Sequence, residues 1–229
     1  MIKAVSFDVG HTLIKYNNPL NWKALYRPAL KQVSGICNLF LSDEQLKAAV
    51  SILTKYNTRE NPRMVEVISQ VIFREIFDAW NLSHDELDSV RAAFYGFFQN
   101  DAVCYDDVAE TLEHLRALHI QMGVLTDVAY GMDNAFSLRD IATIRHYFDL
   151  VLTSVDVGYR KPHPNGFLAL LQEFNLSPSE MMYIGDEQKD IAGANALGIV
   201  SVLINRSESK PEWGQVHTIQ TLSDLLPLL

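Results

Sequence analysis

The sequence has few of the features typical of secreted or membrane proteins. Only Cys37 and Cys104 are present among its 229 residues, too few for a disulfide framework. No uninterrupted apolar run reaches the roughly 18 residues needed to span a bilayer. The opening MIKAVSFDVG contains no long apolar leader. We therefore expect a cytoplasmic protein with no membrane partner.

A basic surface is also missing. The formal net charge is -9, which repels phosphate backbones and makes nucleic acid a poor candidate partner. An anionic small molecule would need a local cluster of positive charge. Hydrophobic residues make up 48% of the chain and charged residues 21%, as in ordinary globular proteins. The composition therefore argues against disorder and allows a sizeable core.

Short apolar runs recur along the chain, each followed directly by polar residues. They are Ile2–Phe7 before Asp8, Met122–Leu125 before Thr126, Met182–Ile184 before Gly185 and Asp186, and Val200–Ile204 before Asn205 and Arg206. Segments with helical spacing lie between them, at Val108–Leu118, Gly166–Phe174 and Ile191–Leu197. This alternation predicts an α/β fold with a Rossmann-like parallel sheet, in which ligands bind at the carboxyl ends of the strands.

Residues 19–100 have a different pattern, with helical stretches and no convincing strand. Ser42 with Gln45 and Ser83 with Glu86 have the spacing of a capping box, and Pro62 suits the first turn of a helix. We expect a four-helix cap domain, 19–100, inserted into a core formed by 1–18 and 101–229. The sequence is consistent with either a monomer or a homodimer.

Four short motifs carry the candidate chemistry. They are Asp8–Leu13, Val124–Asp127, Arg160–Pro162 and Gly185–Asp190. In order and spacing they resemble the four motifs of the haloacid dehalogenase-like (HAD) superfamily, and the cap between the first two resembles one of its subclasses. The resemblance covers the whole chain. It implies a hydrolase, with a phosphatase as the expected activity.

The resemblance assigns roles that the chemistry of the residues supports. Asp8 is the expected nucleophile, because a carboxylate can attack phosphorus and form a covalent acyl phosphate. Lys161 would bind the transferring phosphoryl group and Thr126 would donate a hydrogen bond to it. Oxygen ligands suit Mg²⁺, and the implied ligands are Asp8, the backbone carbonyl of Gly10 and Asp186, with Asp190 in the first or second shell. Arg160 is expected to be exposed or to contact the cap.

The sequence departs from its relatives at two positions. Phosphatases of the superfamily usually carry a second aspartate where this chain has Gly10, so general acid catalysis is expected to be lost there. His11 is one candidate replacement, since histidine exchanges protons near neutral pH, and packing is its other interpretation. Asp127 stands where relatives often carry asparagine, which puts its contact with the substrate in question.

The cap is expected to select the substrate, a small phosphorylated molecule. Asn57 and Arg59 form a polar cluster with Arg63. We expect this cluster to face the substrate, although exposure to solvent is equally consistent with the sequence. The aromatic residues of the cap are expected to form its core or its seam with the rest of the chain. These are Trp22, Tyr26, Phe73, Phe77 and Phe94 to Phe98.

Two alternatives remain open from the sequence. A 2-haloacid dehalogenase would use Asp8 to attack carbon and would not require the acid missing at Gly10. The acidic pair Asp186 and Asp190 fits that chemistry poorly, because a halocarboxylate site gains nothing from a cluster that attracts cations. A catalytically weak binding or regulatory protein on the same fold is the other alternative, and Gly10 alone supports it.

Overall fold

Strand β1 runs through the centre of a parallel sheet. The computed structural model describes residues 1–17, 21–98, 101–207 and 211–229. Its strands are, in chain order, β1 (Ala4–Phe7), β2 (Ile14–Tyr16), β3 (Ala102–Cys104), β4 (Gln121–Thr126), β5 (Leu150–Thr153), β6 (Met181–Gly185), β7 (Val200–Ile204) and β8 (His217–Ile219). Six of them form one sheet in the order β5-β4-β1-β6-β7-β8, with every neighbouring pair parallel. The predicted Rossmann-like α/β class is confirmed.

Nine α-helices accompany these strands in the described residues. They are α1 (Trp22–Ile36), α2 (Asp43–Tyr56), α3 (Ser69–Trp80), α4 (Leu87–Phe97), α5 (Val108–Ala117), α6 (Asn134–Ser137), α7 (Ser154–Val157), α8 (Pro164–Phe174) and α9 (Gln188–Leu197). None of the described helices has the length and apolar character needed to cross a membrane.

The alternation of side chains along β1 explains why helices cover both faces of the sheet. Val5 and Phe7 point into one apolar cluster, with Leu112 of α5, and Ala4 points into another, with Phe167 of α8. All four residues of β1 are buried. A strand buried on both faces is expected to be mostly apolar, as β1 is. Ser6 is the polar residue of β1, and its hydroxyl donates to the sulfur of Met181 at 3.7 Å.

Helices α1 to α4 lie between β2 and β3 and form an apolar cluster of their own. Tyr26, Leu53, Phe73 and Phe94 are fully buried in it, and the cluster extends onto Tyr130, in the loop after β4. The four predicted helices are therefore present. The predicted boundaries at 19 and 100 lie outside the described residues.

One predicted capping box, at Ser83, and one predicted helix start, at Pro62, are wrong. Ser42 and Gln45 form the capping box that begins α2, whereas the Ser83 hydroxyl donates to Asp85 at 2.8 Å and a 3₁₀ turn precedes α4. Pro62 lies in a loop, and the next helix begins at Ser69. The chain stays extended after Pro62 because Val65 pairs with Tyr159 in an antiparallel bridge.

The sequence also failed to predict β5 and the antiparallel pair formed by β2 and β3. This pair flanks the helical insertion, so the chain leaves and re-enters the α/β core on neighbouring strands. Lys161 was expected at the end of a strand and is not there. Strand β5 ends at Thr153, and α7 separates it from the loop that carries Lys161.

Candidate active site

A cavity of about 1190 Å³ lies where the carboxyl ends of the central strands face the helical insertion. Asp8, Thr126 and Asp186 line it from the ends of β1, β4 and β6. Trp22 and Tyr56 line it from the insertion. The carboxyl ends of adjacent parallel strands meet at one edge of the sheet, which is why residues far apart in sequence come together here.

Asp8 extends the pairing of β1 by one residue, because its backbone N–H donates to the carbonyl of Ile184 at 2.8 Å. The residue as a whole is 7% exposed. Lys161 Nζ donates to Asp8 Oδ1 at 2.7 Å and lies 3.1 Å from the Tyr183 hydroxyl. Asp8 and Lys161 therefore form a buried ion pair. Burial would lower the pKa of Lys161, but the carboxylates of Asp190 and Asp8 outweigh it and raise that pKa well above its ordinary value.

Asp8, Asp186 and Asp190 form a carboxylate cluster, in which one oxygen of each lies within 4.8 Å of the others. Burial, with the negative charges of Asp8 and Asp190, raises the pKa of Asp186 to about 8. Burial also raises the pKa of Asp190 to about 6, although the charge of Lys161 opposes this. Like charges held this close favour protonation or a bound cation.

The cluster fits a hard divalent cation such as Mg²⁺. Asp190 is fully buried, and its Oδ1 lies 2.7 Å from Lys161 Nζ without hydrogen-bond geometry. Its Oδ2 accepts the backbone N–H of Glu187 at 3.0 Å. A buried carboxylate oxygen that accepts no hydrogen bond lowers the free energy of unfolding, and a bound cation would offset this loss.

Glycine is required directly before Asp186. A Cβ at Gly185 would lie 2.4 Å from the carboxyl carbon of Asp190. The close approach of Asp190 to the strand therefore depends on the missing side chain. At Gly10 the situation is the reverse, because a Cβ there would meet no atom within 4 Å.

Asp127 makes contacts that the sequence did not predict. Its Oδ1 accepts the backbone N–H of Lys161 at 3.0 Å, and its Oδ2 lies 3.0 Å from Lys189 Nζ. Burial opposes ionisation, but Lys161, Lys189 and Arg160 together lower the pKa of Asp127 below its ordinary value. Asp127 therefore holds the loop of Lys161 against the end of β4.

The remaining predicted residues all line the cavity. His11 is exposed, with a positive φ of 55° and a ring 6.2 Å from that of Tyr16. Asn57 Nδ2 donates to the Tyr26 hydroxyl at 3.0 Å, so part of its polar capacity is used inside the insertion. The exposed guanidinium of Arg59 reaches toward the core and lies 3.6 Å from Glu187.

Arg160 is buried, so of the two alternatives the contact with the insertion is correct. Its guanidinium donates to Glu66 and to the carbonyl of Val128, the latter at 2.8 Å. Glu66 also accepts the hydroxyl of Ser154 at 2.6 Å. The backbone N–H of Arg160 donates to Met64 O at 2.7 Å. This network joins the loop before α3 to the loop that carries Lys161.

Several residues of the site escaped the sequence analysis. Lys189 and Tyr183 lie within or beside the fourth motif, and their position next to Asp186 was the available signal. Glu66 lies in a stretch that was interpreted as helical, so its contact with Arg160 was not predicted. Trp22 and Phe98 line the cavity as well as packing in the insertion, so their expected restriction to core or seam is incomplete.

The fold is a parallel α/β sheet with a carboxylate at the end of its central strand. This carboxylate forms an ion pair with a lysine and lies beside two further carboxylates. The sequence matches the family described as haloacid dehalogenase-like hydrolase over residues 43–204. The chain belongs to this family and is a hydrolase.

The chain is also similar to proteins of known name. A glyceraldehyde 3-phosphate phosphatase of Methanopyrus kandleri is 28% identical over 212 residues, 91% of this chain and 86% of that protein. A phosphoglycolate phosphatase of Escherichia coli is 31% identical over 129 residues, 55% of this chain, and the match spans only 50% of that protein. A 2-haloacid dehalogenase structure from Pseudomonas syringae superposes with a TM-score of 0.71 at 23% identity, covering 100% of this chain and 97% of the other. That likeness establishes the fold alone.

Proposed function

We propose that the chain is a phosphatase that hydrolyses a small phosphorylated metabolite through an aspartyl phosphate at Asp8. The observation that carries the proposal is the buried Asp8 carboxylate, which lines the cavity 2.7 Å from Lys161 and clusters with Asp186 and Asp190. Two relatives named as phosphatases support the same class.

The proposed reaction has two steps at Asp8. In the first, a carboxylate oxygen of Asp8 bonds to phosphorus as the bond from phosphorus to the ester oxygen breaks, and the ester oxygen leaves as an anion that takes a proton from water. In the second, water attacks phosphorus, which releases inorganic phosphate and restores the carboxylate. Lys161 offsets the charge of the phosphoryl group in both steps. The hydroxyl of Thr126 donates a hydrogen bond to a phosphoryl oxygen.

The carboxylates of Asp8, Asp186 and Asp190, with the backbone carbonyl of Gly10, are the proposed ligands of Mg²⁺. The bound cation would supply positive charge where the phosphoryl oxygens gather. Asp127 is engaged by Lys161 and Lys189, so we assign it a positioning role instead of the expected contact with the substrate.

Residues 19–100 are proposed to act as a cap domain that selects the substrate. The insertion has its own apolar cluster and supplies part of the cavity wall. Asn57 and Arg59 lie on this wall and are proposed to contact the leaving group. The core, 1–18 and 101–229, then supplies the chemistry.

The dehalogenase alternative is supported by the fold but not by the carboxylate cluster. A halocarboxylate brings its own negative charge, and Asp186 and Asp190 would repel it. A phosphate with a bound cation has no such conflict. The binding-protein alternative leaves the buried pair of Asp8 and Lys161 without a purpose, since a buried ion pair is weak evidence of stabilisation alone.

The test is a screen of phosphorylated metabolites with and without Mg²⁺, beside a 2-haloacid. We expect release of phosphate that a chelator stops, and no release of halide. Asp8→Asn should abolish turnover and leave the far-ultraviolet circular dichroism spectrum unchanged. Asp106→Asn is the matched control, because Asp106 is exposed. Release of halide without metal would favour the dehalogenase, and inactivity toward every compound would favour the binding protein.

A further inference from the structure

One part of the cavity wall is aromatic and is formed by Trp22 and Phe98 of the insertion with Tyr130 of the core. Trp22 stacks on Phe98, with ring centroids 3.8 Å apart and an angle of 22° between the planes. Its ring also lies 5.1 Å from that of Tyr130, which lines the same cavity. Phe98 and Tyr130 are buried, whereas Trp22 remains partly exposed. The neighbouring rings therefore hold the indole of Trp22 in place as an apolar surface beside the cavity.

The cations that line the cavity already have anionic partners. Every lysine and arginine among the described lining residues has a carboxylate within 4 Å: Lys23 with Glu60, Arg59 with Glu187, Arg63 and Arg160 with Glu66, Lys161 with Asp8, and Lys189 with Asp127. Arg63 still has two buried guanidinium nitrogens, Nε and Nη2, that donate no hydrogen bond within the described residues. These nitrogens could bind an acceptor on the substrate without breaking an ion pair.

The size of the cavity and the chemistry at Gly10 both favour a large leaving group that can depart as an anion. A volume of about 1190 Å³ exceeds the roughly 300–1,000 Å³ of pockets that hold drug-sized ligands. A three-carbon leaving group would leave most of it to water. Because Gly10 supplies no proton, the leaving oxygen has to depart as an anion. A phenol, with a pKa of about 10, tolerates this better than an alkyl alcohol.

We propose that the substrate is an aryl phosphate monoester, with its phosphoryl group at Asp8 and its ring against Trp22. This inference rests on the proposed phosphatase function and names its substrate class. The bond from phosphorus to the aryl oxygen breaks as Asp8 attacks, the phenolate leaves and takes a proton from water, and a second water hydrolyses the aspartyl phosphate.

The first experiment compares kcat/KM for 2-naphthyl phosphate, acetyl phosphate and phosphoglycolate. Acetyl phosphate has a good leaving group without a ring, so it reports the chemistry at Asp8 separately from the ring contact. We expect 2-naphthyl phosphate to have the highest kcat/KM of the three and phosphoglycolate the lowest. If acetyl phosphate is not hydrolysed, the phosphatase function itself fails. If it is hydrolysed and 2-naphthyl phosphate is no better, only the aryl inference fails.

The second experiment tests Trp22 directly. Trp22→Leu should lower the ratio of kcat/KM for 2-naphthyl phosphate over acetyl phosphate by about fivefold or more, through a higher KM for the aryl substrate. Trp213→Leu is the matched control, since Trp213 is partly exposed and lies outside the cavity lining, and the ratio should stay constant. An unchanged ratio in Trp22→Leu would overturn the proposal.

A binding measurement distinguishes the loss of the ring contact from a folding defect in Trp22→Leu. In Asp8→Asn, which should bind substrate without turnover, 2-naphthyl phosphate should change the tryptophan fluorescence. Trp22→Phe in the same background retains a ring for packing and should remove most of that change. If the signal is the same in both proteins, the ring of the substrate does not lie against Trp22 and the proposal is wrong.

Discussion

At the scale of single residues, Gly10 stands where the resemblance to the superfamily implies an aspartate. A Cβ there meets no atom within 4 Å, so the first atom of a side chain fits without displacing a neighbour. Gly10→Asp should restore a general acid and raise kcat on alkyl phosphates by about tenfold or more. The measurement compares one alkyl and one aryl phosphate across pH, and the gain should be smaller for the aryl ester.

His11 provides the contrasting prediction. Its side chain is exposed and its backbone is left-handed, with φ of 55°, so the ring is not held at a fixed position in the cavity. His11→Ala should change kcat by less than about twofold on both esters, well below the effect of losing a general acid. A selective loss of alkyl phosphate hydrolysis in this variant would identify His11 as the acid instead.

The sequence predicted most residues of the site because their signals are local. Asp8, Thr126 and Asp186 each follow an apolar strand directly, and strand ends are where ligands bind. Glu66 and Tyr183 could not be assigned in this way. Their contacts with Arg160 and Lys161 join segments far apart in sequence, and only the fold brings those segments together.

At the scale of elements, the loop before α3 is tied to the loop of Lys161 through Glu66. Glu66→Gln removes a charge that faces Arg160 inside the protein, and the more distant carboxylate of Asp127, 3.9 Å away, is what remains to Arg160. Removing one partner of a buried pair costs about 3–5 kcal/mol. We expect a loss of at least about 2 kcal/mol in the free energy of unfolding, measured with urea, because the amide of glutamine retains part of the contact.

A surface pair supplies the control for Glu66. Glu75 pairs with Lys55 at 2.8 Å, and both side chains are considerably exposed. Glu75→Gln should change the free energy of unfolding by less than about 1 kcal/mol, since exposed pairs contribute little. Equal effects of the two substitutions would mean that the buried network does not join the two loops.

The elements predicted correctly and those missed differ in their local signal. Four strands of the sheet were recognised because they are apolar runs that end in polar residues. Strand β8 is only three residues long, and β2 and β3 are short strands that pair with each other across the whole insertion. Pro62 was misplaced because the sequence does not reveal that Val65 pairs with Tyr159.

At the scale of the whole molecule, the carboxylate cluster should make stability depend on pH. Without metal, burial and the charges of Asp8 and Asp190 raise the pKa of Asp186 to about 8, against about 3.9 in an unfolded chain. The folded state therefore holds a proton that the unfolded state has released between about pH 4 and pH 8. By linkage, this group makes the free energy of unfolding fall as pH rises through that window.

The measurement is urea unfolding at pH 5.5 and pH 8 with chelator and with Mg²⁺. Without metal the protein should lose at least about 1 kcal/mol over this range through Asp186. With Mg²⁺ the loss should shrink or reverse, since the cation binds the ionised carboxylates and displaces the proton. Asp186→Asn should flatten the metal-free dependence. A metal-free profile that is the same in the wild type and in Asp186→Asn would contradict the assignment.

Because β1 lies in the middle of the sheet, its backbone amides should be protected from hydrogen exchange for longer than those of the cavity wall. This strand has hydrogen-bonded neighbours on both sides, β4 and β6, so its amides can exchange with solvent only when the middle of the sheet opens. The wall that contains Trp22 and Arg59 belongs to helices and loops at the periphery, where local opening requires less free energy. In amide hydrogen exchange, Val5 to Asp8 should be among the slowest positions and residues 57–61 among the fastest. The nucleophile would then remain fixed for hours while the surface that chooses the substrate opens and closes many times.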